Sequence, residues 1–466
     1  MLRPAIPGLF LVTMCFLSCS GPGGVREKEL PNIVLISLDT LRADHLSSYG
    51  SQHVRTPNID SIGQGGTRLA NFVAHSPWTK SSFGSFFTSL YPSQHGSTRN
   101  SKWKGDSWEY LTTIDQKLDD KYVTMAEILK DNGYVTVAFQ ANVMMSASSG
   151  FSQGFDIYEH ESLFHEEDAL PYPPANRMYE AFNSWLSEHS QTNRRFFVWI
   201  NLMDTHMPYV GRKGYYPESW DSRYHGQITN PFKDYKTARN GPGLSEKDKE
   251  QIHALYDAEI QFADEYIGKI LEALKRTGLE DKILLIFASD HGEELWDHGG
   301  KSEQDVRDFN WGFGHGHTLY EEMILVPLII RYPVALGQPG EMTTVNQQIR
   351  QVDFLPTILD LLEIRHEAAK HFEGETILDL LRGESSKSPA VFSESLLYGD
   401  EKKSIRTGGY KLVFNAASGE TELYDLINDP GEEINIVDSQ SERAQSLKKT
   451  LIQWMQRMPP SVLTVH

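Results

Sequence analysis

Residues 33–40 read Ile33-Val34-Leu35-Ile36-Ser37-Leu38-Asp39-Thr40, an almost continuous apolar run that ends in two polar residues. A short run of this kind is typical of a strand buried on both faces of a parallel sheet. Comparable runs occupy residues 135–139, 196–202, 283–288 and 326–331. Helical patterns lie between them at 124–133, with a capping box at its start, and at 252–274. Strands that alternate with helices predict an α/β fold, a doubly wound, mostly parallel sheet flanked by helices.

The same patterns predict four segments along the chain. Residues 1–19 are predicted to be an export signal and residues 20–30 a tether. The α/β domain is expected at 31–362, and a smaller C-terminal α+β subdomain at 363–466. Within that subdomain, residues 405–414 and 420–426 have the pattern of hairpin strands, and 441–458 that of an amphipathic helix. The polar stretch 210–245 is either a substrate-facing insertion or a surface loop.

Composition excludes several classes of protein. The 466 residues include 44 Lys and Arg against 63 Asp and Glu, a formal net charge of −19. A chain with this charge and no strongly basic run is not expected to bind nucleic acid. A hydrophobic content of 39% argues against both a polytopic membrane protein and a disordered chain.

Both cysteines, Cys15 and Cys19, lie in the predicted export signal. Residues 16–19 resemble a bacterial lipoprotein box in which Cys19 would carry the lipid. An ordinary secretory signal is the alternative. Either predicts an exported protein of the periplasm or cell surface, with a lipid anchor as its expected contact with the membrane. No thiol remains for catalysis or for binding a metal.

Polar side chains follow three of the predicted strands. Asp39 ends the first, Asp204 and His206 follow the strand at 196–202, and Asp290 and His291 follow the strand at 283–288. Ligands of open α/β sheets bind outside the carboxyl ends of the strands, so these groups are expected at one edge. A mixture of carboxylate and imidazole suits Zn or Mn, whereas oxygen ligands alone would favour Ca or Mg.

Thr79 lies at the start of a helix predicted from about residue 81 to 90. The N-terminus of a helix favours an anion such as phosphate or sulfate. A threonine hydroxyl is a poor nucleophile unless a divalent metal activates it. Taken alone, Thr79 could equally be a simple N-cap.

The chain resembles the sulfatase family of the alkaline phosphatase superfamily from residue 32 to about 437. The resemblance is carried by segments in family order, at 38–45, 56–60, 91–96, 204–209, 289–293, 315–322, 326–328, 353–357 and 423–430. The order of these segments implies the fold of that family.

The departures from the family bear on function. Where most sulfatases carry Cys/Ser-x-Pro-x-Arg, this chain has Thr79, Ser81 and Phe83, so no formylglycine is expected. The acidic pairs of the usual calcium site read Asp39-Thr40 and Asp290-His291 instead. The chain is similar in these respects to nucleotide phosphodiesterases, phosphonate-ester hydrolases and phosphoethanolamine transferases.

This resemblance implies a role for each candidate residue. One metal would be held by Asp39, Thr79, Asp290 and His291. His206 and His315 would bind the oxygens of the transferred group, the leaving group, or a second metal, and the alternative for each is a bystander histidine. Lys80 could bind an anionic substrate, although a solvated lysine is the simpler interpretation at the start of a helix.

The resulting prediction is a metal-dependent ester hydrolase with Thr79 as nucleophile, one or two divalent ions, and a preference for phosphate or phosphonate esters. A small molecule, a glycan or a lipid head group could carry the ester. A sulfuric ester hydrolase is the alternative within the same fold. Two other classes stay open: a phosphoethanolamine-type transferase and a catalytically dead, anchored binding lipoprotein.

Overall fold

The computed structural model describes residues 30–98, 117–164, 171–212, 244–299, 312–337 and 341–458, two short strands between 98 and 117, and residues 214, 215, 226 and 228. The predicted export signal with Cys19, and most of the 210–245 stretch, lie outside these residues. Residues 31–466 belong to one compact unit. Whether a subdomain boundary lies at 363 stays a prediction. In the described part of the chain, no helix is both long and apolar enough to cross a membrane.

Sixteen strands are present in the described residues. They are β1 (Asn32–Leu38), β2 (Gly66–Val73), β3 (Ser101–Trp103), β4 (Trp108–Tyr110), β5 (Val135–Gln140), β6 (Ile157–Glu159), β7 (Phe196–Leu202), β8 (Ile283–Ala288), β9 (Glu294–Leu295), β10 (Phe313–Gly314), β11 (Leu325–Arg331), β12 (Thr343–Arg350), β13 (Val391–Ser395), β14 (Lys402–Thr407), β15 (Tyr410–Asn415) and β16 (Thr421–Asp425).

Ten α-helices accompany them in the same residues. They are α1 (Pro57–Ile62), α2 (Thr79–Thr88), α3 (Pro92–His95), α4 (Met125–Asp131), α5 (Ala175–His189), α6 (Glu246–Arg276), α7 (Glu321–Ile324), α8 (Phe354–Leu361), α9 (Leu378–Leu381) and α10 (Ser441–Met455). The predicted capping box of α4 is present, because Thr124 and Glu127 each bond the backbone N–H of the other.

The central sheet has eight strands in the order β12-β2-β11-β8-β1-β7-β5-β6. The strands β8, β1, β7 and β5 are mutually parallel, as predicted, and β6, which the sequence pattern did not predict, is parallel to β5. The run at 326–331, predicted to join a parallel sheet, is antiparallel to both β8 and β2. An apolar run indicates that a strand is buried on both faces, but it does not indicate whether the strand runs parallel or antiparallel to its neighbours. This explains the error. Strands β2 and β12 were missed because polar residues interrupt them.

The middle of the sheet is fully buried. Every residue of β5, β7 and β8 is buried, and so are six of the seven residues of β1. Helices α5 and α6 pack against each other within the large hydrophobic core that includes these strands. Because the central strands cannot shift in such a core, their carboxyl ends hold the residues that follow them in fixed positions.

The C-terminal region contains a four-stranded antiparallel sheet, β13-β14-β15-β16, on which α10 packs. The prediction of one strand at 405–414 was wrong. Two strands, β14 and β15, are joined by Gly408 and Gly409, whose φ angles of 59° and 80° form a tight hairpin turn. The helix predicted at 441–458 ends at Met455.

Candidate active site

Three side chains from two neighbouring strands meet at the carboxyl edge of the sheet. Asp39 follows β1, and Asp290 and His291 follow β8, the strand paired with β1. Nε2 of His291 lies 3.4 Å from Asp290 Oδ2 and 3.8 Å from Asp39 Oδ1. All three side chains are completely buried. The structure therefore brings together three of the residues proposed from the sequence as metal ligands.

The hydrogen bonds of this cluster leave one oxygen of each carboxylate without a donor. Nδ1 of His291 donates to the carbonyl of Gly292 at 2.9 Å, so Nε2 carries the lone pair in the neutral ring. Asp39 Oδ1 and Asp290 Oδ2 have no hydrogen-bond partner among the described residues. Two unsatisfied carboxylate oxygens beside an imidazole lone pair fit a divalent cation. The backbone bond that orients His291 is typical of metal-binding histidines.

The titration of the carboxylates agrees with this fit. Burial, followed by the charge of Asp290, raises the pKa of Asp39 to about 6. Burial likewise raises the pKa of Asp290 to about 7. Burial lowers the pKa of His291. The pocket thus disfavours uncompensated charge, and a bound cation would restore both carboxylates to the ionised form.

Thr79 is the first residue of α2 and faces this cluster. Its Oγ1 lies 3.3 Å from His291 Nε2 and 3.4 Å from Asp39 Oδ2, and the residue is 1% exposed. The cap position belongs to Trp78, which makes no side-chain capping bond. The simple N-cap interpretation of Thr79 is therefore wrong.

Asn142 belongs to the same site and was missed by sequence reasoning. Its Nδ2 donates to Asp39 Oδ2 at 2.9 Å and to Thr79 Oγ1 at 3.4 Å. Asn142 comes two residues after β5, which ends at the same edge of the sheet. The rule that identified Asp39 and Asp290, applied to this strand, would have found it.

His206 and His315 complete a cluster of three imidazoles. The ring centroid of His315 lies 4.7 Å from that of His291 and 4.9 Å from that of His206. Nδ1 of His206 donates to the carbonyl of Met207 at 2.7 Å, and burial lowers the pKa of His206. Nδ1 of His315 instead bonds the buried carboxylate of Glu293 at 3.0 Å. The two histidines thus differ in what holds Nδ1, a backbone carbonyl for His206 and the carboxyl group of Glu293 for His315.

Asp204 does not join the candidate metal-ligand cluster of Asp39, Asp290 and His291, although it follows β7 at the same edge. Its Oδ1 accepts both a hydrogen bond from Arg212 at 2.8 Å and one from the backbone N–H of Ala175 at 3.2 Å. Arg212 also bonds Glu259 at 2.8 Å. Asp204 therefore anchors the segment that carries His206.

Lys80, next to Thr79, is 1% exposed, so its interpretation as a solvated lysine is wrong. Its Nζ lies 6.0 Å from the centroid of the Trp78 ring. Burial alone lowers the pKa of Lys80 to about 8. No carboxylate of the described residues pairs with it.

A second group of His and Glu side chains, Glu294, His298 and Glu322, lies close to the active site in sequence. Nδ1 of His298 pairs with Glu322 at 2.7 Å, and Glu294 pairs with His317 at 2.6 Å. These contacts link the group and His317 into a network of paired imidazole and carboxyl side chains.

Sequence comparison matches this chain to proteins of one family. The profile of the family described as "Sulfatase" matches residues 31–364, and that of the C-terminal region of N-sulphoglucosamine sulphohydrolase matches 310–459. The ulvan-active sulfatase of Formosa agariphila is 24% identical over 92% of this chain and 82% of its own length. An arylsulfatase of Clostridium perfringens is 25% identical over 91% and 94%.

Solved structures share the fold. The phosphonate monoester hydrolase of Agrobacterium radiobacter superposes with a TM-score of 0.67 at 21% identity, covering 92% of this chain and 96% of that one. A protein crystallised with D-glucosamine-2-N,6-O-disulfate superposes with a TM-score of 0.68, also at 21% identity, covering 92% and 97%. With more than half of its length matched by the family profile, the chain belongs to the sulfatase family, a metal-dependent family of ester hydrolases.

Proposed function

We propose that this protein is a metal-dependent hydrolase of phosphate or phosphonate esters in which Thr79 is the nucleophile. The observation that carries the proposal is the position of Thr79 Oγ1, 3.3 Å from His291 Nε2 and 3.4 Å from Asp39 Oδ2. The hydroxyl thus lies where a cation held by these residues would contact it. The residues around Thr79 at this edge of the sheet then take part in one reaction.

The fit of the donor set indicates which residues would hold the metal. Asp39, Asp290, His291 and Thr79 supply two carboxylates, an imidazole and a hydroxyl, a set that favours Zn or Mn over Ca. When bound, the cation acts as a Lewis acid that makes the threonine hydroxyl easier to deprotonate. A second ion near His206 and His315 remains part of the proposal.

The residues of the chain perform the remaining steps. Thr79 Oγ1 passes its proton to Asp39 Oδ2, 3.4 Å away, and forms a bond to phosphorus while the bond from phosphorus to the leaving oxygen breaks in line with it. The leaving oxygen receives a proton from the imidazole of His206 or His315. Water then attacks the phosphorylated or phosphonylated threonine and gives one proton to the same imidazole, while the proton held by Asp39 returns to Thr79 Oγ1, which releases phosphate or phosphonate and restores the hydroxyl. Asn142, which donates to both Thr79 and Asp39, orients the nucleophile throughout.

A sulfuric ester hydrolase is the second candidate, and the comparisons favour it. The relatives named above include sulfatases that share about a quarter of their residues with this chain. A sulfate monoester carries one negative charge fewer than a phosphate monoester, so a difference in charge preference separates the two candidates. For this candidate, the hydroxyl of Thr79 would have to attack the sulfur atom of the ester, in place of formylglycine.

The two remaining classes have less support. A metal-ligand set that is complete and buried argues against a catalytically dead binding protein. Transferases of the phosphoethanolamine type usually carry several membrane helices. We further propose that the protein is exported and held at the membrane by a lipid on Cys19, and that its substrate is a small-molecule, glycan or lipid head-group ester.

Four nitrophenyl substrates test the proposal: a phosphate monoester, a phosphodiester, a phosphonate monoester and a sulfate. The protein is loaded with Zn or Mn, and Thr79→Ala and Thr79→Ser serve as the matched pair of variants. We expect turnover of phosphorus esters that Thr79→Ala abolishes and Thr79→Ser partly retains. Turnover of the sulfate alone would establish the second candidate, and turnover that survives in Thr79→Ala would exclude Thr79 as nucleophile.

A further inference from the structure

Lys80 is a buried cation without a counter-ion in the described part of the chain. The residue is 1% exposed, and it is among the largest side chains that are fully buried. The lysines of comparable burial, Lys403 and Lys411, each pair with two glutamates. Burying an ammonium group without such a partner is strongly unfavourable. An unpaired buried charge of this kind is typical of a functional site at which a bound ligand supplies the opposite charge.

The end of the helix that carries Lys80 also favours an anion. The first N–H groups of a helix have no partner within the helix, and Trp78 at the cap has no side-chain acceptor to satisfy them. Side chains of a helix lean toward its N-terminus, and Nζ of Lys80 lies near the ring of Trp78. The ammonium group and the positive end of the helix dipole therefore lie at the same end of α2 as Thr79.

We propose that Lys80 binds the second negative charge of the substrate, so that the preferred substrate is a phosphate monoester dianion. This inference rests on the proposed function, since it names the substrate class of the same site. Phosphodiesters, phosphonate monoesters and sulfate monoesters each carry a single negative charge on the transferred group. For these substrates the charge of Lys80 has no additional oxyanion to neutralise.

The kinetic test compares substrates of different charge on the metal-loaded, full-length protein. Lys80→Met removes the charge at nearly constant size, and Lys80→Arg keeps it. Lys130→Met is the control, because Lys130 is an exposed lysine that pairs with Asp156 at 2.8 Å. We expect Lys80→Met to lower kcat/KM for 4-nitrophenyl phosphate by about 30-fold or more, the effect of a lost charge-assisted contact. For bis(4-nitrophenyl) phosphate and 4-nitrophenyl sulfate the loss should be less than about threefold. Equal losses on all three substrates would overturn the assignment.

Thermal unfolding tests the role of Lys80 in anion binding independently of catalysis. In phosphate-free buffer, Lys80→Met should raise Tm, because it removes an unpaired buried charge, whereas Lys130→Met should leave Tm nearly unchanged. Inorganic phosphate should stabilise the wild-type and Lys80→Arg proteins, with at least tenfold weaker apparent binding in Lys80→Met. A lower Tm for Lys80→Met, or equal stabilisation of all variants by phosphate, contradicts the inference.

The two measurements separate this inference from the proposed function. A protein that hydrolyses none of the esters, yet needs Lys80 for stabilisation by phosphate, would refute the hydrolase and retain the anion site. A protein that hydrolyses phosphorus esters with unchanged charge preference in Lys80→Met would retain the hydrolase and refute the role of Lys80.

Discussion

The buried carboxyl group of Glu293 lies 3.0 Å from Nδ1 of His315, while the equivalent nitrogen of His206 donates to the backbone carbonyl of Met207 at 2.7 Å. A carboxylate stabilises the protonated form of the imidazole it faces and fixes its orientation. Of the two histidines beside the metal-ligand cluster, His315 is therefore better suited to give a proton to the leaving group. His206 is better suited to accept one or to bind an oxygen of the transferred group.

Replacement of Glu293 by Gln should affect poor leaving groups most. A nitrophenolate leaves without help, whereas a phenolate or alkoxide needs a proton in the transition state. We expect Glu293→Gln to lower kcat/KM by about 10- to 100-fold for phenyl phosphate and by much less for 4-nitrophenyl phosphate. Steady-state kinetics with both substrates measure the difference. Glu280→Gln, a surface change, is the control, and equal losses on both substrates would remove His315 from this role.

Replacement of Asn142 by Ala should slow the reaction. The change removes the donor that bonds both Asp39 and Thr79, so the proposed nucleophile loses part of its orientation. We expect a decrease in kcat of about 10- to 100-fold, similar to the effect of other outer partners of metal sites. Kinetics together with metal titration test this expectation. An unchanged kcat would show that Asn142 only fills space.

Removal of the metal should make stability depend on pH between about 4 and 7. Burial raises the pKa of Asp39 to about 6 and that of Asp290 to about 7, both above the value of 3.8 for an exposed aspartate. The folded metal-free protein therefore holds protons that the unfolded chain has released, and its stability falls as pH rises through this range. Thermal unfolding after chelation should show the fall, and re-addition of Zn or Mn should abolish it. Asp290→Asn should weaken the pH dependence, and a flat metal-free profile would contradict the assignment of both carboxylates.

The pair of His298 and Glu322 should stabilise the fold in neutral but not in strongly alkaline solution. Burial by itself lowers the pKa of His298, but the hydrogen bond and charge of Glu322 outweigh it and raise that pKa to about 9. Because the unfolded value is about 6.5, the contribution is complete below that pH and is lost as pH rises through 9. We expect a loss on the order of 2 kcal/mol, visible in denaturant unfolding at pH 6 and pH 10. His298→Gln should remove this difference. Lys130→Met should retain it.

The α/β class and the parallel centre of the sheet could be predicted from the sequence because they depend on local patterns. Apolar runs such as 33–38 and 283–288 form strands buried on both faces of a parallel sheet. The residues that follow each run therefore lie at the carboxyl edge of that sheet. This reasoning identified Asp39, Asp290 and His291. The direction of β11 and the presence of β2 and β12 could not be predicted, since pairing between distant strands leaves no periodic signal in either strand alone.

The sequence by itself determined which chemical groups are available: a threonine at position 79, an Asp-His pair at 290 and 291, and no cysteine beyond residue 19. Only the tertiary structure decided how those groups act. It brings Asn142 to Thr79, separates Asp204 from the metal ligands through Arg212, and buries Lys80 without a counter-ion in the described part of the chain. The physical reason is that hydrogen bonds, burial and electrostatic fields depend on distances between atoms. Those distances are set by the packing of segments far apart in the chain.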